Sequence, residues 1–309
     1  MIETYQISLV IAINFFAVSS ILGKYLISAS GGPLNFLIYQ LVIALPFLLI
    51  ISYFEYWKDS SIISLLTSRL LVAFFFISLF AVIGYLSLLT GFKEGNVSVG
   101  GIILSSRVVL SVPLAFFVLS ESYKITVYLA IFISIFGAII VSWDKNLDIK
   151  ALFSLKAPGI RWYFLTTLTW ALSNFLISYY LQEIPTFTVI TIRQIFMTAF
   201  AMLYYLSKYK SFSSTRIPLS RNLIMKIIIY VLIIMIAQAG FIFGLSKSLT
   251  ISEAIGVAEG PFTLIYTLLV AKFLDNSVLK EPLDRKSVLV RIVGATIAVM
   301  GTLGVILFS

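Results

Sequence analysis

Residues 97–119 read VSVGGIILSSRVVLSVPLAFFVL, an apolar run with one charge, Arg107, near its middle. A helix that crosses a bilayer needs about 20 mostly apolar residues, and this run meets that length. Nine further runs of the same kind surround it, at 5–28, 33–56, 69–91, 124–143, 160–182, 186–206, 224–246, 252–274 and 286–308. The breaks between them carry turn or charge signals, among them Gly31-Gly32-Pro33, Lys58-Asp59-Ser60-Ser61, Lys93-Glu94-Gly95-Asn96 and Glu183-Ile184-Pro185-Thr186. The longer gap near 207–223 is polar and basic. The first run lacks the basic start and small-residue cleavage site of a signal peptide, so it reads as the first span. The pattern predicts an all-α integral membrane protein with ten transmembrane helices.

Composition agrees. Of 309 residues, 60% are hydrophobic and 11% charged, and the mean hydropathy is +1.07. A soluble domain carries about 25% charged residues, so a soluble enzyme, a nucleic-acid-binding module and a disordered chain are all excluded. The net charge of +9 lies mostly in the gaps between runs, where it meets lipid headgroups. The chain has no Cys and no His, which removes disulfides, thiol catalysis, His-ligated haem and the usual zinc sites. No cofactor is expected, and with no Gly-rich phosphate loop the chain has no direct coupling to ATP.

Shifting the chain by 154 residues aligns its halves without a net gap from the first span to the end of the fourth. Phe16 falls on Trp170, Ser20 on Asn174, Gln40 on Gln194, Ser98 on Ser252 and Glu121 on Asp275. Each half, 1–150 and 151–309, then holds five spans. Five is odd, so the second half enters the membrane from the opposite side. The expected architecture is two inverted five-helix repeats, the arrangement of secondary transporters with a midplane site between the halves.

Several motifs make a resemblance specific. The fourth span carries Ser98, Leu104-Ser105-Ser106 and a closing Glu121, and the fifth ends Ile135-Phe136-Gly137-Ala138. The second half answers with Ser252, Gly260-Pro261, Glu281-Pro282-Leu283 and Gly294…Met300-Gly301. In these features, over nearly its whole length, the chain resembles the EamA-type branch of the drug/metabolite transporter superfamily. It departs from that pattern at Arg107, where the family usually has proline, and at Asp275–Leu279, which lengthen the last loop. The resemblance implies secondary transport, with export of small solutes such as amino acids or amines.

Ionisable side chains at membrane depth read as functional by default. Arg107 and Glu259 lie near mid-span, and the 154-residue shift maps Arg107 onto Pro261 and Ser105 onto Glu259. The two are therefore expected to approach each other or to face one cavity, either as a structural ion pair or as substrate ligands. Arg107 suits a carboxylate or phosphate. Glu259 suits an amine, or a coupling proton, since burial raises a carboxyl pKa. Asn14, Ser105, Trp170 and Asn174 join them as candidate cavity residues, as do Tyr85 and Gln238, which fall on adjacent places under the shift. Arg193 reads as a structural anchor, because the resemblance implies that its span lies outside the central cavity. Lys24, Lys93, Lys247 and Lys272 sit near span ends and read as snorkelling to headgroups.

The tally of loop cations puts Lys58, Arg69, Lys124 and Lys247 on one face and the rest on the other. By the positive-inside rule both termini are then outside, whereas the resemblance implies both inside. The expected function is secondary transport of a small polar or zwitterionic metabolite through the cell membrane by a monomer, with lipids as its other partner. The alternatives are an anionic substrate such as a sugar phosphate or nucleotide sugar, a membrane-embedded lipid-modifying enzyme, and a channel.

Overall fold

A computed structural model describes residues 2–58, 67–95, 97–141, 159–182, 184–209, 220–270 and 285–309. All regular structure among them is helical: α1 Thr4–Ala29, α2 Pro33–Ser52, α3 Ser68–Glu94, α4 Val97–Ser105, α5 Arg107–Val118, α6 Ile125–Val141, α7 Ile160–Tyr180, α8 Thr186–Tyr209, α9 Arg221–Leu245, α10 Leu249–Gly256, α11 Glu259–Val270 and α12 Arg285–Phe308. Among the described residues, six stretches are long and apolar enough to cross a membrane: Thr4–Ala29, Pro33–Glu55, Ser68–Glu94, Thr186–Tyr209, Arg221–Leu245 and Val288–Phe308. Ile103–Val118 and Ile125–Val141 are shorter apolar helices. Large apolar side chains, among them Phe117, Phe132, Leu203 and Leu307, are exposed on the outside. In water such a surface would aggregate; on a multi-pass integral membrane protein it faces lipid. Residues 144–155, the short linker between the two halves in the sequence reading, lie outside the described residues, as do Lys272, Asp275–Leu279 and Glu281-Pro282-Leu283.

Two expected spans are broken. The run at 97–119 is not one helix but α4 and α5, which part at Ser106. The run expected at 252–274 starts at Leu249 and parts at Val257-Ala258. Irregular backbone at membrane depth survives only where protein satisfies it. Ser105 supplies that here, its Oγ donating to Gly101 O at 2.7 Å and, across the interface, to Val257 O at 3.2 Å.

The packing pairs helices from before and after residue 150. α3 lies along α7 as α9 lies along α1, and α4 meets α11 as α10 meets α5. α2 packs on α8 and α6 on α12. All of these pairings except α6 with α12 map onto themselves or their mates under the 154-residue shift. Polar side chains stitch the pairs: Thr191 and Ser52 share a hydrogen bond, Gln194 donates to Leu41 O at 3.1 Å, and Ser173 donates to Ile77 O at 3.1 Å. Two acids that close first-half helices cap second-half ones. Glu55 accepts from Phe187 N and Thr188 N at 3.2 and 2.9 Å, and Glu121 accepts from Leu249 N and Thr250 N at 2.8 and 3.0 Å. Carboxylates at helix N-termini satisfy orphan amides and oppose the dipole. Beside Glu121, burial pushes the Tyr123 hydroxyl above the usual phenol value, and it donates to Ser248 Oγ at 2.8 Å.

Two cations depart from the sequence reading. Lys24 does not snorkel: it is buried, and its Nζ donates to Gly95 O at 3.1 Å, at the end of α3. Arg291, counted with the loop cations, is buried inside α12. A lysine stem can reach inward as easily as outward when an unsatisfied helix-end carbonyl is the nearer partner. Removing both from the tally leaves its imbalance standing.

The α6–α12 seam is the tightest. A Cβ on Gly137 would collide with the backbone of Ala298 and Gly294. Small residues allow such close approach in membranes. Gly137→Leu must push the two helices apart, and overpacking of this kind costs about 1–3 kcal/mol. The expected outcome is a lower melting temperature of the purified protein, and an unchanged melt would show that the seam is not tight.

Candidate functional site

The two breaks face a shared cavity. It is lined by Phe16 of α1, Ala81 and Tyr85 of α3, Arg107 of α5, Trp170, Ser173 and Asn174 of α7, Arg193 of α8, Gln238, Phe241 and Ile242 of α9, and Glu259 of α11. α5 and α11 both begin here, at Arg107 and Glu259. Paired half-helices of this kind supply ion-binding ends at membrane depth. Glu259, at the N-terminus of α11, meets the positive end of that dipole, with Ser20 of α1 in hydrogen-bonding reach.

Arg107 has the opposite problem, a cation at a helix start. Its guanidinium is met instead by three groups. Glu253 of α10 lies 3.3 Å from Nε, with both side chains almost fully buried. The Trp170 and Phe241 rings lie 5.2 and 5.9 Å from Arg107 Cζ, in cation–π range. The C-terminal end of α10, at Gly256, lies beside Nη2, where helix carbonyls favour positive charge. Asn174 Nδ2 donates to the other Glu253 oxygen at 2.7 Å. Trp170 reaches this position because α3 has Gly84 beneath it; a Cβ there would overlap the indole.

A second polar group completes the lining. Arg193 Nη2 donates to Gln238 Oε1 at 2.8 Å, and Gln238 Nε2 donates to Tyr85 Oη at 2.8 Å. The cavity is narrow, about 40 Å³. A water takes roughly 10–15 Å³ on this measure, so the space holds a few waters and no metabolite.

Of the residues picked from sequence, Arg107, Glu259, Tyr85, Trp170, Asn174 and Gln238 meet at this cavity. Arg107 and Glu259 share it, but the ion pair is with Glu253. Asn14 and Ser105 are not in the lining. Asn14 accepts from Tyr266 Oη at 2.6 Å and donates to Val10 O at 2.8 Å, and Ser105 is taken up by the helix break. Two residues differ from the sequence reading: Arg193 lines the cavity rather than lying outside it, and Glu253, not among the sequence candidates, carries the ion pair. Its sequence signal is an acid inside an apolar stretch, visible once the run is extended back to Leu249.

Removing one member of a buried ion pair strands the other, at about 3–5 kcal/mol. Arg107→Met alone is therefore expected to lower the melting temperature sharply. Arg107→Met with Glu253→Gln keeps the Asn174 hydrogen bond and should recover most of the loss. A single variant as stable as the parent would show that the pair is not formed.

Comparisons with known proteins agree with this architecture. No curated protein matches the sequence. One solved structure, described only as "Crystal structure of protein", superposes with a TM-score of 0.66 over 97% of this chain and 99% of its own, at 12% identity. At that identity it speaks to the fold alone. Residues 4–143 match the model of the EamA-like transporter family. In that first half, which holds the broken α4–α5 helix, the chain is similar to the EamA-like transporter family.

Proposed function

We propose that the protein is a secondary transporter that exports a small polar or zwitterionic metabolite, an amino acid or related amine, across the cell membrane by alternating access. The observation that carries this reading is the cavity itself: both kinds of charge, aromatic faces and two helix breaks converge where helices from the two halves of the chain meet. In this reading the chain spans the membrane ten times as a monomer, with 1–150 and 151–309 as inverted repeats. The exchange of helix pairings under the 154-residue shift supports it. The small cavity fits a closed intermediate, in which both ends of the path are shut and the halves must part to admit solute. Glu259 serves as the coupling proton site or meets the substrate amine. A sugar phosphate is a poorer fit, because Glu253 and Glu259 bring two carboxylates to the two arginines of the site.

In liposomes, purified protein is expected to give saturable counterflow of an amino acid or amine drawn from a broad panel. Glu259→Gln keeps the shape and removes the charge, so it should flatten the pH dependence of net flux while exchange continues. Ohmic current, or flux without counterflow, would overturn the carrier reading.

A further inference from the structure

The lining holds two arginines, and they are not equivalent. Arg107 has its acid, Glu253, in direct contact and two aromatic faces over its guanidinium. Arg193 is about as deeply buried, 6% exposed, yet no acid among the described residues is in ion-pair contact with it. One nitrogen, Nη2, is held by Gln238; Nε makes no hydrogen bond in either arginine, but only that of Arg107 lies against a carboxylate. The same chain fixes Tyr85: its hydroxyl accepts from Gln238, and its own proton has no acceptor among the described residues. Two donors, a guanidinium and a phenol, are thus held by one amide, line one cavity and await an acceptor.

A buried guanidinium without a counter-charge is costly, and the protein spends Gln238 on orienting it rather than an acid on neutralising it. That is how a binding group is built, since a resident carboxylate would compete with the ligand. We propose that Arg193, backed by Gln238 and assisted by Tyr85, receives the carboxylate of the substrate, and that Arg107 does not. The guanidinium fork and the phenol match the lone pairs of one carboxylate. Arg107 and Glu253 instead hold the helix breaks together. With Glu259 on the same cavity, the uncompensated charges are one cation and one anion, the complement of a zwitterion. This inference rests on the reading of the cavity as the substrate path.

Formate is the probe, because it is a bare carboxylate and small enough for the closed cavity. Purified protein is melted across a series of sodium formate concentrations, with ionic strength held by gluconate, which is too bulky to enter. Wild type is expected to show a saturable rise in melting temperature. In Arg193→Gln the apparent formate affinity should fall by about tenfold or more, the loss of one charge-assisted hydrogen bond. Without formate that variant should be at least as stable as wild type, since it loses an unpaired buried charge. Arg193→Lys keeps the charge without the fork and should retain a weaker response. No formate response in wild type, or the same response in Arg193→Gln, overturns the proposal. If Arg193→Gln does not survive purification, unchanged affinity in Arg193→Lys overturns it too. Counterflow by wild type tests the transport reading separately: a formate response without counterflow leaves the anion site standing and removes the transporter.

Discussion

A guanidinium placed at a helix break, at membrane depth, has to be answered by other protein groups, because no water or lipid can do so cheaply. Arg107 is that group, and much of the centre of this molecule is arranged around it. Glu253 answers its charge from α10, the end of α10 lies beside it, and Trp170 and Phe241 cover its faces. Ser105, two residues earlier, takes the Val257 carbonyl at the facing break. Each break has hydrogen bonds of its own, and the two are also tied to each other, through Ser105 to Val257 O and through Arg107 to Glu253.

The remaining seams differ in kind. α6 and α12 meet through backbone, with Gly137 against Ala298, and offer little room for sliding. α2 and α8 meet through hydroxyl and amide side chains, such as Ser52 with Thr191 and Gln194 with Leu41. Interhelical hydrogen bonds of this sort are worth only about 0.6 kcal/mol on average in membranes, so they can be exchanged. Under the proposed transport cycle, the stiff α6–α12 seam keeps its form while the polar seams and the centre rearrange. The caps at Glu55 and Glu121 tie acids at the ends of first-half helices to the starts of second-half ones, and a parting of the halves has to release them.

Hydropathy carried most of the fold. Long apolar runs have no other way to be satisfied than as membrane helices, so α1, α2, α3, α8, α9 and α12 were legible at once. Breaks inside runs were not, because Ser and Gly leave an apolar average almost unchanged while freeing the backbone. The site was legible in proportion to the oddity of each residue. Arg107 and Glu259 stand out in mid-run, whereas Glu253 lay at a run edge drawn too late. Lys24 and Arg291 sit near helix ends, where sequence favours the lipid headgroup and only packing reveals the inward partner. Arg193 was read as lying outside because its helix was placed by resemblance rather than by what its side chain touches.

The 154-residue shift has a last consequence for the chemistry. It maps helix onto helix, but none of the four charges at the centre has a charged counterpart. Arg107 falls on Pro261, Arg193 on Tyr39, Glu253 on Val99 and Glu259 on Ser105. The break in the second half follows from Gly260-Pro261, a proline in the first turn of a helix where its missing N–H costs nothing. The break in the first half follows from Ser105-Ser106 and brings a cation that needs Glu253. The two breaks are thus made by different residues, a cation at the first and two acids, Glu253 and Glu259, beside the second. Under the proposed reading, a zwitterion at the centre has its charged ends fixed by Arg193 and Glu259, with no mirror-related pose available. Separating the halves at one end also differs in cost from separating them at the other, because the Arg107–Glu253 pair has no twin. For a carrier, that inequality sets which way the empty protein prefers to face.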